Sequence, residues 1–123
     1  MSRKSSAKSS AANTRRSPCP VACGLDLFGD KWTLLIIRDL ILGRSRFKDF
    51  VESPEGIPTN ILSERLERLL VGGVVRQFPV EEGGKRFAYQ LTDKGLALRP
   101  ILRAIREWGL KWEKGTRAAM EPS

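Results

Sequence analysis

The chain has 123 residues, with 22 Lys plus Arg against 14 Asp plus Glu, two Cys and no His. That length predicts one domain, and 41% hydrophobic content is enough to bury a core. Lack of His removes the commonest general acid/base and metal ligand, and two Cys make neither a disulfide scaffold nor a four-thiolate zinc cage. No apolar run approaches the ~20 residues of a membrane span, and the basic N-terminus lacks the apolar region of a secretory signal. A soluble, basic, cytoplasmic chain is expected, with no catalytic residues, no metal and no cofactor.

The net charge of +8 is uneven. Residues 1–17 carry Arg3, Lys4, Lys8, Arg15 and Arg16 and no acid. This Ser- and Ala-rich stretch has no repeating apolar face, so it reads as a disordered basic tail. It serves either as a solubilising tail or as an arm for phosphates, and composition does not choose between DNA, RNA and a membrane surface.

Pro18 to Pro20 end the tail and open a short helix to about Phe28, closed by Gly29, with Asp30 as a good N-cap for the next. Lys31 to Leu42 is apolar on nearly every side, which marks a core helix. Arg44 to Phe47 reads as a brief strand or a turn. Phe47, Phe50 and Val51 then have helical spacing, so a short helix ends near Glu52. A Pro/Gly loop leads to a helix from Pro58 or Thr59, whose buried stripe is Leu62, Leu66, Leu69 and Leu70. Val74 to Val80 and Phe87 to Thr92 read as paired strands joined by a hairpin, with Gly83 and Gly84 permitting positive φ. Thr92 caps a final helix striped by Leu98, Ile101, Leu102, Ile105, Trp108 and Trp112. No Glu or Gln completes a capping box at Gly95, and Pro100 is expected to kink this helix.

The order gives a mainly α fold with a small β-hairpin wing, a winged helix-turn-helix. Residues 1–17 are expected as tail, 18–115 as the DNA-binding domain with N- and C-terminal dimerisation helices, and 116–123 as a C-terminal tail.

From Pro18 to about Glu113 the chain resembles the HxlR family of bacterial winged helix-turn-helix regulators, within the MarR-like superfamily. The resemblance rests on Cys19-Pro20, then Gly29 with Lys31-Trp32-Thr33-Leu34-Leu35, Ile37-Arg38-Asp39-Leu40, Arg46-Phe47, and Gly56-Ile57 before Leu62-Ser63-Glu64-Arg65-Leu66. Beyond the hairpin come Tyr89-Gln90-Leu91-Thr92 with Gly95, Leu98-Arg99-Pro100 and Glu107-Trp108. It implies a homodimeric regulator of nearby genes, and some relatives sense electrophiles or oxidants through the N-terminal cysteine. Pro58-Thr59 departs from the Ser-Pro that many relatives carry at the start of the recognition helix.

A helix in the major groove presents its N-terminal residues to base edges. Thr59, Asn60, Ser63, Glu64, Arg65 and Arg68 are the candidates on the recognition helix, Asn60 toward adenine and Arg65 toward guanine or a phosphate. Glu64 and Glu67 sit awkwardly there, and the alternative is that Arg65 and Arg68 simply pair with these acids along the helix. Lys85 and Arg86 at the wing tip are expected at the minor groove or its phosphates, unless Glu81 and Glu82 neutralise them. Arg44, Arg46 and Lys48 are placed for the DNA backbone. Ile101, Ile105, Trp108 and Trp112 are expected at a dimer interface with the Val21–Phe28 helix, or else pack on their own domain.

Cys19 lies at a helix N-terminus, with Arg15 and Arg16 near in sequence, which are conditions for a reactive thiol. Cys23 shares a face with Leu27 and reads as more buried. The pair is a redox sensor at Cys19, a structural pair, or half a metal site. The expected partners are double-stranded DNA, a second copy of the chain and a small-molecule or oxidant effector, with no membrane. A nucleoid-associated place follows from the first. The rival classes are an enzyme using the Cys19 thiol, an architectural nucleic-acid binder driven by the tail, and an RNA binder, which the strands' lack of exposed aromatic runs argues against.

Overall fold

The computed structural model describes residues 16–117. Its elements in chain order are α1 (Pro20–Phe28), α2 (Thr33–Ile41), α3 (Phe47–Val51), α4 (Thr59–Val71), β1 (Val75–Pro79), β2 (Phe87–Leu91), α5 (Asp93–Leu96) and α6 (Arg99–Trp112). The expected basic tail falls almost wholly on residues 1–15, and most of the C-terminal tail on 118–123; both lie outside the described residues.

Local chemistry sets each boundary. Pro20 occupies the first turn of α1, where its missing N–H costs nothing. Asp30 caps the start of α2 from a position just ahead of it: one carboxylate oxygen accepts from the amides of Trp32 and Thr33, at 3.0 and 3.2 Å. The other oxygen accepts from the Thr33 hydroxyl at 2.6 Å. Asp49, the third residue of α3, reaches back to the start of its own helix, accepting from the amides of Arg46 and Ser45 at 3.0 and 3.2 Å. Those two bonds hold its carboxyl below the usual carboxylate range.

The core is a single cluster. Ile36 and Ile37 of α2, Phe50 of α3 and Leu62, Leu66 and Leu69 of α4 close on Val74 and Val75, with Leu98 beneath. Leu70, expected in the same stripe, is half-buried beside it. The α4 spacing of i, i+4, i+7 is what turns one face of the helix inward and leaves the other to solvent.

The wing is an antiparallel hairpin in which Val75 pairs with Leu91 and Pro79 with Phe87. Gly83 supplies a positive φ of 72° at its turn, whereas Gly84 does not take one. The segment before α3 contributes a single bridge, Arg46 to Ala88, with the Tyr89 amide donating to the Ser45 carbonyl at 2.8 Å. The ambiguous Arg44–Phe47 stretch is thus a one-residue third strand. Phe50 meets Tyr89 edge to face, ring centroids 6.2 Å apart, which seats the wing on α3.

The C-terminal helix differs from expectation. Thr92 does cap, its hydroxyl accepting from the Gly95 amide at 3.2 Å, but the helix it caps is the single turn α5. A new helix, α6, then begins at Arg99, with Pro100 in its first turn rather than kinking a continuous helix. The third residue of α5 is Gly for a packing reason. A Cβ on Gly95 would stand 2.3 Å from the Val74 carbonyl oxygen, so the capping-box Glu has no room.

Candidate nucleic-acid interface

The helix-turn-helix consists of α3, the turn over residues 52–58, and α4. A buried ionic knot holds that turn. Asp39 lies in α2, its side chain 3% exposed, where an unpaired carboxylate would be very costly. Three partners meet it. Arg38 donates from Nε at 3.1 Å and Nη2 at 2.9 Å, Arg44 from Nη1 at 3.1 Å, and the Ser53 hydroxyl makes a short bond to the second oxygen. Arg38 also grips Glu55 through two bonds of 2.9 Å, which hold the Glu55 carboxyl below its ordinary range. Ser53 and Glu55 both belong to the turn, so α2 fixes the point from which α4 departs. Sequence reasoning quoted Asp39 only within a family motif. A lone Asp between Ile37 and Ile41 was the available signal, because a charge on a core helix must be paired.

A second tie acts on the middle of α4. Arg65 donates from Nε to Asp30 at 2.9 Å and also contacts Glu64, leaving its side chain 17% exposed. Burial works to raise the Asp30 pKa, but the bonds from Thr33, Arg65 and the Trp32 amide outweigh it and lower it to about 2. Arg68 pairs with Glu64 at 3.2 Å, one turn away, and approaches Asp30 at 3.9 Å. Of the expected pairs along the helix, the one a turn apart is Arg68–Glu64, while Arg65 meets its neighbour Glu64 and reaches off the helix to Asp30.

Thr59, Asn60, Ser63, Glu64 and Glu67 are exposed on the outer face of α4, while Arg65 and Arg68 are half-buried. At the wing tip Arg86 pairs with Glu81 at 3.0 Å, both side chains being well exposed. Lys85 is exposed and forms no ion pair among the described residues. Of the three basic residues before and within α3, Lys48 is exposed, Arg46 is half-buried in the bridge to Ala88, and Arg44 is engaged with Asp39.

The apolar stripe of α6 is uncovered. Ile101, Ile105, Trp108 and Trp112 are 36%, 51%, 59% and 62% exposed, so the tryptophans do not pack on their own domain. Val21 and Leu25 of α1 are exposed as well, at 68% and 50%. Four large apolar side chains on one helix stripe exceed the scattered exposure normal for a monomer.

Both cysteines are free thiols, Cys19 exposed and Cys23 half-buried with its Sγ donating to the Ser17 carbonyl at 3.4 Å. Arg16 is paired with Asp26 at 2.6 Å. Among the described residues no group of three or more His, Cys, Asp or Glu could hold a metal ion, and no helix is long and apolar enough to cross a membrane.

Two helices joined by a fixed turn, the second presenting a polar face beside a hairpin, define a winged helix-turn-helix of the DNA-binding class. The HxlR-like helix-turn-helix family matches residues 27–117, and the chain belongs to that family of transcriptional regulators. It is 38% identical over 88 residues to the HTH-type transcriptional regulator YvaP of Bacillus subtilis, itself uncharacterised, covering 72% of this chain and 82% of YvaP. Among solved structures it is similar to PA1607, a candidate transcription factor, with 45% identity and a TM-score of 0.74 over 80% of this chain and 68% of that one. It is also similar to the reduced form of the B. subtilis regulator YodB, with 29% identity and a TM-score of 0.66 over 82% of this chain and 100% of YodB. The quinone-bound form of YodB matches at 30% identity and a TM-score of 0.64, covering 76% and 99%.

Proposed function

We propose that this transcriptional regulator binds double-stranded DNA sequence-specifically as a homodimer, with α4 as the recognition helix. The observation that carries the reading is the division of α4 into two faces. Leu62, Leu66 and Leu69 are buried while Thr59, Asn60 and Ser63 are exposed at its N-terminal end, where a groove-bound helix meets base edges. Asn60 has the donor and acceptor pair that adenine matches, and Thr59 and Ser63 flank it. Arg65 acts mainly by orienting α4 through Asp30, and Arg68 with Glu64 borders the phosphates. Lys85 and Lys48, exposed and in no ion pair among the described residues, supply backbone contacts, with Arg86, Arg44 and Arg46 as weaker contributors. The basic residues of the 1–17 segment add sequence-independent attraction.

The dimer is formed through Ile101, Ile105, Trp108 and Trp112 of α6 with Val21 and Leu25 of α1. A two-fold pair sets recognition helices roughly 34 Å apart, so the site is an inverted repeat. Cys19, exposed at the start of α1, lies beside that seam in sequence. YodB, whose quinone-bound form shares this fold, supports a thiol response here. A quinone ring carbon would bond to the Cys19 sulfur as the ring C=C and the S–H bonds open, the thiol proton passing to one quinone oxygen and the displaced ring proton to the other, leaving a hydroquinone thioether.

The test is to mix reduced protein with fragmented DNA of the source genome at physiological salt and sequence what is retained. A few sites sharing an inverted repeat support the reading. Flat recovery that disappears on deleting residues 1–17 would favour an architectural binder driven by the tail.

A further inference from the structure

One face of the wing turns toward the helix-turn-helix, and two neutral polar side chains stand on it. Gln77 and Tyr89 are register partners of β1 and β2, so both project from the same side of the hairpin. The Tyr89 ring meets Phe50 of α3 edge to face, which marks that side as the one turned to the helices. Around Tyr89, β2 is held on both edges, by β1 and by the bond from the Tyr89 amide to the Ser45 carbonyl. The Gln77 side-chain amide donates to the Tyr89 hydroxyl oxygen at 3.4 Å. That bond uses the oxygen as an acceptor. It leaves the hydroxyl proton, and the second amide N–H of Gln77, for another partner. Burial pushes the Tyr89 hydroxyl up, and the Glu67 carboxylate of α4 adds to this against the pull of the Gln77 bond, so the hydroxyl keeps its proton.

We infer that Tyr89 and Gln77 together seat one phosphate of the DNA backbone at the corner between α4 and the wing. The inference rests on the DNA-binding reading above: with α4 in the major groove and Lys85 at the wing tip beyond, the strand between them crosses this corner. The chemistry selects a phosphate. Two unspent protons call for an acceptor, and a phosphate oxygen only accepts and carries charge, which strengthens each bond it receives. Tyr and Gln side chains are regular phosphate ligands on duplex DNA. Glu67, exposed on α4 across the corner, repels a phosphate from that wall, so the seat lies on the wing side. The contact differs in kind from the basic ones. Neither side chain is charged, so it releases no counterion and adds affinity without steepening the salt dependence. Tyr89 is also ordered before DNA arrives, through Phe50, Ser45 and β1, so little freedom is lost when it binds. The pair thereby sets the position of the backbone relative to α4 and carries no sequence information of its own.

The test uses full-length, reduced protein and a duplex retained from the fragmented source-genome DNA, with affinity measured over a range of salt concentrations. Tyr89→Phe keeps the ring on Phe50 and removes only the hydroxyl. It should melt as wild type does and bind roughly ten-fold more weakly, with the slope of log affinity against log salt unchanged. Gln77→Ala, at an exposed position, should behave in the same way. Lys85→Gln should instead make the slope shallower by about 0.9 per half-site. Duplexes carrying a single neutral methylphosphonate then locate the contact. At one phosphate of each half-site the substitution should weaken wild type about ten-fold and leave Tyr89→Phe little changed. Wild-type affinity in either variant, a shallower slope in Tyr89→Phe, or losses equal in wild type and Tyr89→Phe at every phosphate would each overturn the assignment. A failure of the sequence-reading proposal is read separately. Preference for the retained duplex over a scrambled one would then be missing, while the loss in Tyr89→Phe at constant slope would stand.

Discussion

Asp30 and Arg65, 35 positions apart, are joined by a bond of 2.9 Å that runs from the α1–α2 corner to the middle of the recognition helix. The same carboxylate caps α2 through Trp32 and Thr33, so one side chain fixes both the start of the core helix and the rotation of α4. This pairing makes Arg65 a poor base reader, in keeping with its place at the flank of the outer face of α4 rather than on it.

Asp30→Asn tests that tie. The Asp30 pKa is lowered from 3.8 to about 2, so the carboxylate stabilises the fold above its unfolded value, and the gain is lost as pH falls through about 2. Allowing for solvent screening at this partly exposed site, the variant should be less stable by about 1–2 kcal/mol at pH 7. The gap should narrow below about pH 4 and close near pH 2. Denaturant midpoints measured across that range check it, and a gap independent of pH would refute the ionic origin.

Asn60 and Arg65 should separate by what they change. Asn60→Ala removes an exposed amide and should cost about 1–3 kcal/mol at the preferred site, relaxing the choice of base at one position. Arg65→Met should lower stability and weaken all sequences alike, with the preferred bases unchanged. Selection of sites from random duplexes with each variant distinguishes the two.

Ile105→Glu places a charge in the centre of the exposed α6 stripe, at a side chain that is 51% exposed in the single domain. Wild type should sediment as a dimer at micromolar concentration and the variant as a folded monomer. A monomeric wild type would remove the proposed seam.

For the thiol, diamide or a quinone should reduce DNA binding by the wild type but not by Cys19→Ser. If the serine variant responds as wild type does, Cys19 is not the switch.

The parts legible in the sequence are those set by local chemistry. Pro20, Gly29 and the Leu62–Leu66–Leu69 spacing mark α1 and α4 directly, and the Gly-containing hairpin marks the wing. The α5–α6 break was not legible, and neither was the close packing of Gly95 in α5 against the Val74 carbonyl, a tertiary contact that no local pattern announces. Pro100 therefore resembled an interior kink when it in fact starts a helix. At the candidate interface, the exposed set of Thr59, Asn60 and Ser63 followed from helical periodicity. The partners of Arg65, Arg44 and Arg38 did not, since Asp30, Asp39 and Glu55 reach them across turns whose geometry only the fold defines. The exposure of Trp108 and Trp112 likewise became definite only once the core was seen to close without them.

The most direct test of the central claim is the ratio of affinities for a retained inverted-repeat duplex and a scrambled duplex of equal length and composition. It should be measured with reduced wild-type protein at physiological salt. The account predicts a ratio of at least about 10³, with two chains bound per inverted repeat. A ratio near one would mean that charge alone drives binding, and would contradict the assignment of α4 as a reader of sequence.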